Sequence, residues 1–124
     1  MLAYRDLTNR IIGLAIEVHR MIGPGLLESV YAACLCDELA QAGIPFQRQV
    51  GVPVTYKGRT LPLGCRAERL VADAVLIKVK AVAALLPAHE AQVLTHLRMS
   101  LIRVGLMMNF HATRLKDGLH RFIV

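Results

Sequence analysis

Arg66-Ala-Glu-Arg-Leu-Val-Ala-Asp-Ala-Val-Leu-Ile-Lys-Val-Lys-Ala-Val82 reads as two short strands joined by a tight turn, and the rest of the chain is arranged around this hairpin. Its second half alternates, with Val75, Ile77, Val79 and Ala81 on one side and Leu76, Lys78 and Lys80 on the other, because successive strand side chains point to opposite faces. The first set predicts a core face. The second sets two lysines about 7 Å apart, twice the rise per residue of a strand; a solvated face is the plain reading of such lysines. The Ala72-Asp73 junction is the predicted turn between Arg66–Val71 and Ala74–Val82.

Upstream, Thr8 to Ile22 carries Ile11, Ile12, Ala15, Ile16, Val18 and Ile22 mostly at three- and four-residue spacing, which predicts an amphipathic helix capped by Asp6 or Thr8. Gly23-Pro24-Gly25 breaks it, since a residue before proline is steered out of the helical region and glycine accepts positive φ. A second helix is predicted over Leu26 to Ala42, apolar at Leu27, Val30, Tyr31, Cys34, Leu35 and Leu39, with Gly43 as its stop. Pro45 to Tyr56 alternates at Phe46, Val50, Val52, Val54 and Tyr56 and reads as a strand, with Lys57-Gly58 as a turn before Arg59-Thr60-Leu61.

Downstream of the hairpin, Pro87 suits a first helical residue. Ala88 to Ser100 then places Ala91, Leu94, Leu97 and Leu101 on an apolar face, with His89, Gln92, His96 and Arg98 elsewhere. Arg103 to Phe110 is a continuous apolar run, expected as a strand covered by helix on one side. Leu119 to Val124, after Asp117-Gly118, closes the sheet. The predicted fold class is α/β (α+β) in the order ααβββαββ, with three or four strands between the second and third helices, as a single domain over 1–124.

The totals narrow the function classes. A chain of 124 residues with 55% hydrophobic content can bury a core, and no apolar run reaches the roughly 20 residues that span a bilayer, so a soluble protein without membrane contact is expected. The first eight residues lack the pattern of a secretory signal. Cys34, Cys36 and Cys65 are an odd number without a second close Cys or His pair, which reads as free thiols in a reducing, cytoplasmic setting and not as a zinc site. His19, His96, His111 and His120 show no ligand spacing, and Met107 and Met108 read as core. A net charge of +6 favours an anionic partner such as nucleic acid or a nucleotide, although the basic residues are spread and aromatics are few.

Glu17-Val-His-Arg-Met-Ile-Gly-Pro-Gly-Leu-Leu-Glu-Ser-Val-Tyr31, Val54-Thr-Tyr-Lys-Gly58, Lys80-Ala-Val82, His89-Glu-Ala-Gln92 and Leu115-Lys-Asp-Gly118 together resemble the GxxExxY family, of the PD-(D/E)XK nuclease-like superfamily, over nearly the whole chain. The resemblance implies a restriction-endonuclease-like core, a central mixed sheet flanked by helices. It also implies a helix acid, a strand acid and an acid-x-Lys pair on the next strand. Carboxylates there hold Mg²⁺ or Mn²⁺, and the lysine assists hydroxide attack on a phosphate. By position the implied catalytic residues are Glu28, Glu68 and Lys80, the first two as metal ligands.

The sequence departs from that pattern at two places. Glu68 stands where aspartate is usual. Lys78 stands where the second acid belongs, and an ammonium has no lone pair for a metal. At ~4 Å and an effective dielectric of ~40, it would repel a unit positive charge by about 2 kcal/mol and a divalent ion by twice that. Asp73, in the turn, is too far along to replace it; Glu90, early in the third helix, is the other candidate acid. Glu28 also reads simply as a first-turn helix acid, and Glu68 as a cross-strand partner of Lys78 or Lys80. Arg66, Lys78, His89 and Gln92 are the expected ligand-binding residues, with an exposed helix face as the plain alternative for the last two.

The leading expectation is a degenerate nuclease-like domain that needs no cofactor and binds nucleic acid or a phosphate-bearing ligand. An active Mg²⁺- or Mn²⁺-dependent nuclease is the first alternative, and a structural homo-oligomer, a homodimer through an exposed strand, is the second.

Overall fold

The alternating hairpin does form strands, and they lie at the centre of the sheet. The computed structural model describes residues 2–48, 51–66 and 69–124. Helices α1 (Leu2–Ile22) and α2 (Glu28–Gln41) precede β1 (Phe46–Arg48), β2 (Gly51–Tyr56), β3 (Arg59–Arg66), β4 (Arg69–Val71) and β5 (Val75–Lys80). Helix α3 (Pro87–Ser100), β6 (Val104–Asn109), a 3-10 turn at Leu115–Gly118 and β7 (Leu119–Ile123) follow. The five-stranded sheet has the order β1-β4-β5-β6-β7. Its neighbours are antiparallel except β5 and β6, a parallel pair joined by the α3 crossover.

Five strands, not three or four, therefore precede α3. The stretch read as one strand from Pro45 to Tyr56 divides: Phe46–Arg48 pairs with β4, whereas Gly51–Tyr56 pairs with β3 in a separate two-stranded sheet. The register of that second sheet slips between Val52 and Val54, at Pro53, which has no N–H to give the ladder. Its loop, Lys57-Gly58, holds both residues at positive φ, the geometry of a two-residue hairpin turn. The central hairpin turns at Ala72 and Asp73, also at positive φ, with the Ala74 N–H donating to the Val71 carbonyl.

Both faces of β5 and β6 are covered. Val75, Ile77, Val79, Val104, Leu106 and Met108 face the α1–α2 side, and Leu76 and Met107 pack with Val93 and Leu97 of α3. A parallel pair needs a crossover element on one face, and the α1–α2 hairpin occupies the other. So the Arg103–Phe110 run is enclosed on two sides, not one. The lysine face of β5 is not solvated as the alternation suggests: it lies on the α3 side, and Lys78 is only 8% exposed.

Helix α1 begins well before the predicted Thr8, because Tyr4 and Leu7 extend the core stripe through Ile11, Ala15 and Val18. Thr8 is thus inside the helix, where its hydroxyl donates to the Arg5 carbonyl at 3.0 Å instead of capping. The buried stripe of α3 is Val93, His96 and Leu97; the expected Ala91 is exposed, and Leu101 forms the left-handed C-cap with its side chain in water. Of the described thiols, Cys36 is fully buried, its sulfur accepting from the Arg69 Nε–H at 2.6 Å, and Cys34 is half-buried.

Tyr31 fixes the break between α1 and α2. Its ring is fully buried and stacks on Phe110 at 4.5 Å, while its hydroxyl donates to the Gly23 carbonyl and accepts from the Leu26 N–H at 3.2 Å. Tyr31→Phe keeps the stack and removes both turn contacts. It is expected to lower unfolding stability by about 1–2 kcal/mol, read as a lower urea midpoint at unchanged slope.

Candidate functional site

Strand alternation puts Lys78 and Lys80 on the face of β5 that α3 covers, and the sheet register sets their neighbours. Lys78 is level with Met107 and Lys80 with Asn109 on β6. Glu28, in the first turn of α2, comes to the same strand end from the other side: its Oε2 accepts from the N–H of Ala81, the residue after Lys80, at 3.4 Å. The structure thus gathers Glu28 and Lys80 at the end of β5 and places Lys78 two residues further in. Glu68 and the side chain of Arg66 lie outside the described residues.

Asn109 organises the same end. Its Oδ1 accepts from the N–H groups of Val82 at 3.1 Å and His111 at 3.2 Å, and its Nδ2 donates to the Val82 carbonyl at 2.9 Å. The Phe110 N–H donates to the Lys80 carbonyl at 2.9 Å. The loop leaving β5 is therefore pinned to β6. Gly118 is required beside it, because a Cβ there would sit 2.5 Å from the Asn109 carbonyl oxygen.

From α3, His96 is 7% exposed, and its Nδ1 is sealed from solvent with no hydrogen-bond partner among the described residues. Burial foremost, then the charges of Lys78 and Lys80, lower its pKa from 6.5 to about 4. A histidine held neutral when folded and free to charge when unfolded stabilises the fold above pH 6.5 and loses that contribution as pH falls toward 4. The loss is at most about 3 kcal/mol. Chemical denaturation at stepped pH should show this decline, and His96→Leu should flatten it.

Gln92, one helical turn before His96, is exposed, and His89 caps the helix, its Nδ1 accepting from the Leu86 N–H at 3.0 Å. Glu90 turns away toward β7, with its Oε1 3.7 Å from His120 Nδ1. That pair lines a cleft of about 380 Å³ with Pro87, Asn109, Asp117 and Gly118.

The donor chemistry can be tested against a divalent cation. A hard cation takes several oxygen ligands, yet among the described residues no three His, Cys, Asp or Glu side chains converge. The described groups at this strand end are one carboxylate and two lysines. They do not fit Mg²⁺ or Mn²⁺.

A family model described as the PD-(D/E)XK nuclease superfamily matches residues 5–122. The chain belongs to the PD-(D/E)XK nuclease superfamily. The mixed sheet with its three helices agrees with the restriction-endonuclease-like core of that superfamily. Comparison with curated proteins and with solved structures gave no match. No helix among the described residues is long and apolar enough to cross a membrane.

In this PD-(D/E)XK domain, the residue that sequence reading passes over is His96. Val93, His96, Leu97 and Ser100 form a stripe at three- and four-residue spacing as regular as the predicted one. Its polar members conceal it, and only the crossover decides which stripe meets the sheet.

Proposed function

We propose that this PD-(D/E)XK domain, of the GxxExxY type, no longer cleaves efficiently and instead binds nucleic acid or another phosphate-bearing ligand around Lys78 and Lys80. The observation that carries the reading is Lys78 itself. An almost fully buried lysine on β5, two residues before Lys80, stands at the position of the metal-binding acid. A ligand with a lone pair and negative charge is replaced by a cation, which favours an anion over a metal. The +6 net charge acts in the same direction at longer range. In this reading Glu28 and Lys80 retain their places from the catalytic arrangement, Glu68 is the strand acid, Arg66 adds basic charge, and Gln92 and His89 border the approach from α3.

The test is binding of the purified chain to single- and double-stranded DNA, RNA and common nucleotides at about 50 and 200 mM salt. Affinity should fall steeply between the two conditions. Absence of salt-sensitive binding to every probe would remove the reading.

A second reading, self-association, is favoured by the apolar surface. Met21 and Leu27 are 67% and 73% exposed at the α1–α2 turn, and β7 ends the sheet with Ile123 60% exposed. Light scattering at high concentration should show a dimer, and a monomer would exclude it.

A further inference from the structure

We propose that Lys78, Lys80 and His96 receive a terminal phosphate, the monoester of a nucleotide or of a strand end, in preference to the internal diesters of a nucleic-acid backbone. This narrows the proposed function and rests on it. Burial is the first ground. Lys78 and His96 are each more than nine-tenths buried, and Lys80 is partly so. Residues that grip a duplex backbone reach outward to phosphates on a convex surface; here the ligand's phosphate has to enter between β5 and α3. A monoester, with one ester substituent, enters more readily than a diester flanked on both sides.

Charge is the second ground. The field at His96 is positive, set by Lys78 and Lys80. A monoester carries about −1.5 to −2 at neutral pH, whereas a diester carries a single negative charge, so the monoester gains more from the same field. The other titratable pair on this sheet face, His120 with Glu90, is mutually engaged at 3.7 Å.

The third ground is the ring of His96. With Nδ1 sealed and unpartnered among the described residues, the neutral imidazole is better off with a lone pair there than with an unused N–H, which puts the proton on Nε2. The ring then offers one N–H donor beside two ammonium groups and adds no further positive charge. A phosphate oxygen is the acceptor that suits it.

Fluorescence anisotropy on the intact chain tests this with one short single-stranded oligonucleotide carrying either a 5′-phosphate or a 5′-hydroxyl, labelled at its other end. The phosphorylated form should bind about tenfold tighter, the scale of one charge-assisted hydrogen bond. Adenosine 5′-monophosphate should compete where adenosine does not; competition by the nucleotide alone, without discrimination between strand ends, would assign the site to free nucleotides. His96→Ala should bring the two strand affinities to within about twofold, and His96→Asn, which keeps a donor, should retain part of the preference. The ring resonance of His96 in the unmodified protein should shift on adding adenosine 5′-monophosphate, which covers the case of a variant that does not fold. Equal binding of both strands with no competition by the nucleotide would overturn the inference and leave nucleic-acid binding intact. An undiminished preference in folded His96→Ala would overturn it as well, and no binding of any probe would remove the inference and the proposed function together.

Discussion

Lys78→Glu is expected to take up a divalent cation that the unaltered chain does not, and to lose affinity for phosphate at the same time. The substitution returns a carboxylate to β5 two residues before Lys80, at the strand end that Glu28 reaches through the Ala81 N–H. At ~4 Å and an effective dielectric of ~40, it removes roughly 4 kcal/mol of repulsion toward a divalent ion and supplies attraction of the same size. Mg²⁺ at a hundredfold excess over its Kd would then stabilise the variant by about 2.7 kcal/mol, roughly a 10 °C rise in Tm for a chain of this size. The unaltered chain should show no such rise. Phosphate binding should weaken about tenfold or more, since the sign of the charge facing the ligand reverses. A Tm of Lys78→Glu that is indifferent to Mg²⁺ would mean that more than this one lysine separates the site from a metal centre.

Phe110→Ala carries the largest expected loss of stability. The ring is fully buried, stacks on Tyr31 at 4.5 Å and lies 6.2 Å from the His19 ring. It therefore joins α1, α2 and the end of β6 in one contact set, and its own N–H holds the Lys80 carbonyl. Truncation should cost about 3–5 kcal/mol, a large share of the roughly 5–15 kcal/mol of a typical domain. A guanidinium midpoint shifted at constant slope would measure it. Because the Lys80 carbonyl is anchored one residue past Asn109, ligand affinity should fall too in whatever fraction stays folded. A loss below about 1 kcal/mol, the scale of an ordinary surface or hydrogen-bond change, would contradict this placement.

The central hairpin is legible in the sequence because a period of two over Val75–Lys80 suits a strand and no helix, and because Ala72-Asp73 interrupts it at the right place. The third helix is legible from Pro87. What the sequence does not disclose are the features set by distant packing. Nothing near Lys78 announces that α3 crosses over it, so its lysine face reads as wet. Nothing in Pro45–Tyr56 announces that Phe46–Arg48 and Gly51–Tyr56 join different sheets, since both halves alternate. The early start of α1 follows from Tyr4 and Leu7 meeting the core, a tertiary contact with little local signature. Of the site, the lysines and Glu28 are marked by pattern and resemblance, whereas His96 becomes visible only when the orientation of α3 is fixed.

Cleavage of single- and double-stranded DNA by the unaltered chain, with Mg²⁺ and then Mn²⁺ and against Lys80→Ala prepared identically, tests the loss of catalysis most directly. The expected result is the same background in both proteins, with salt-sensitive binding present in the unaltered chain and weakened in the variant. Metal-dependent cleavage above the Lys80→Ala level would contradict it and show that Lys78 does not disable the centre.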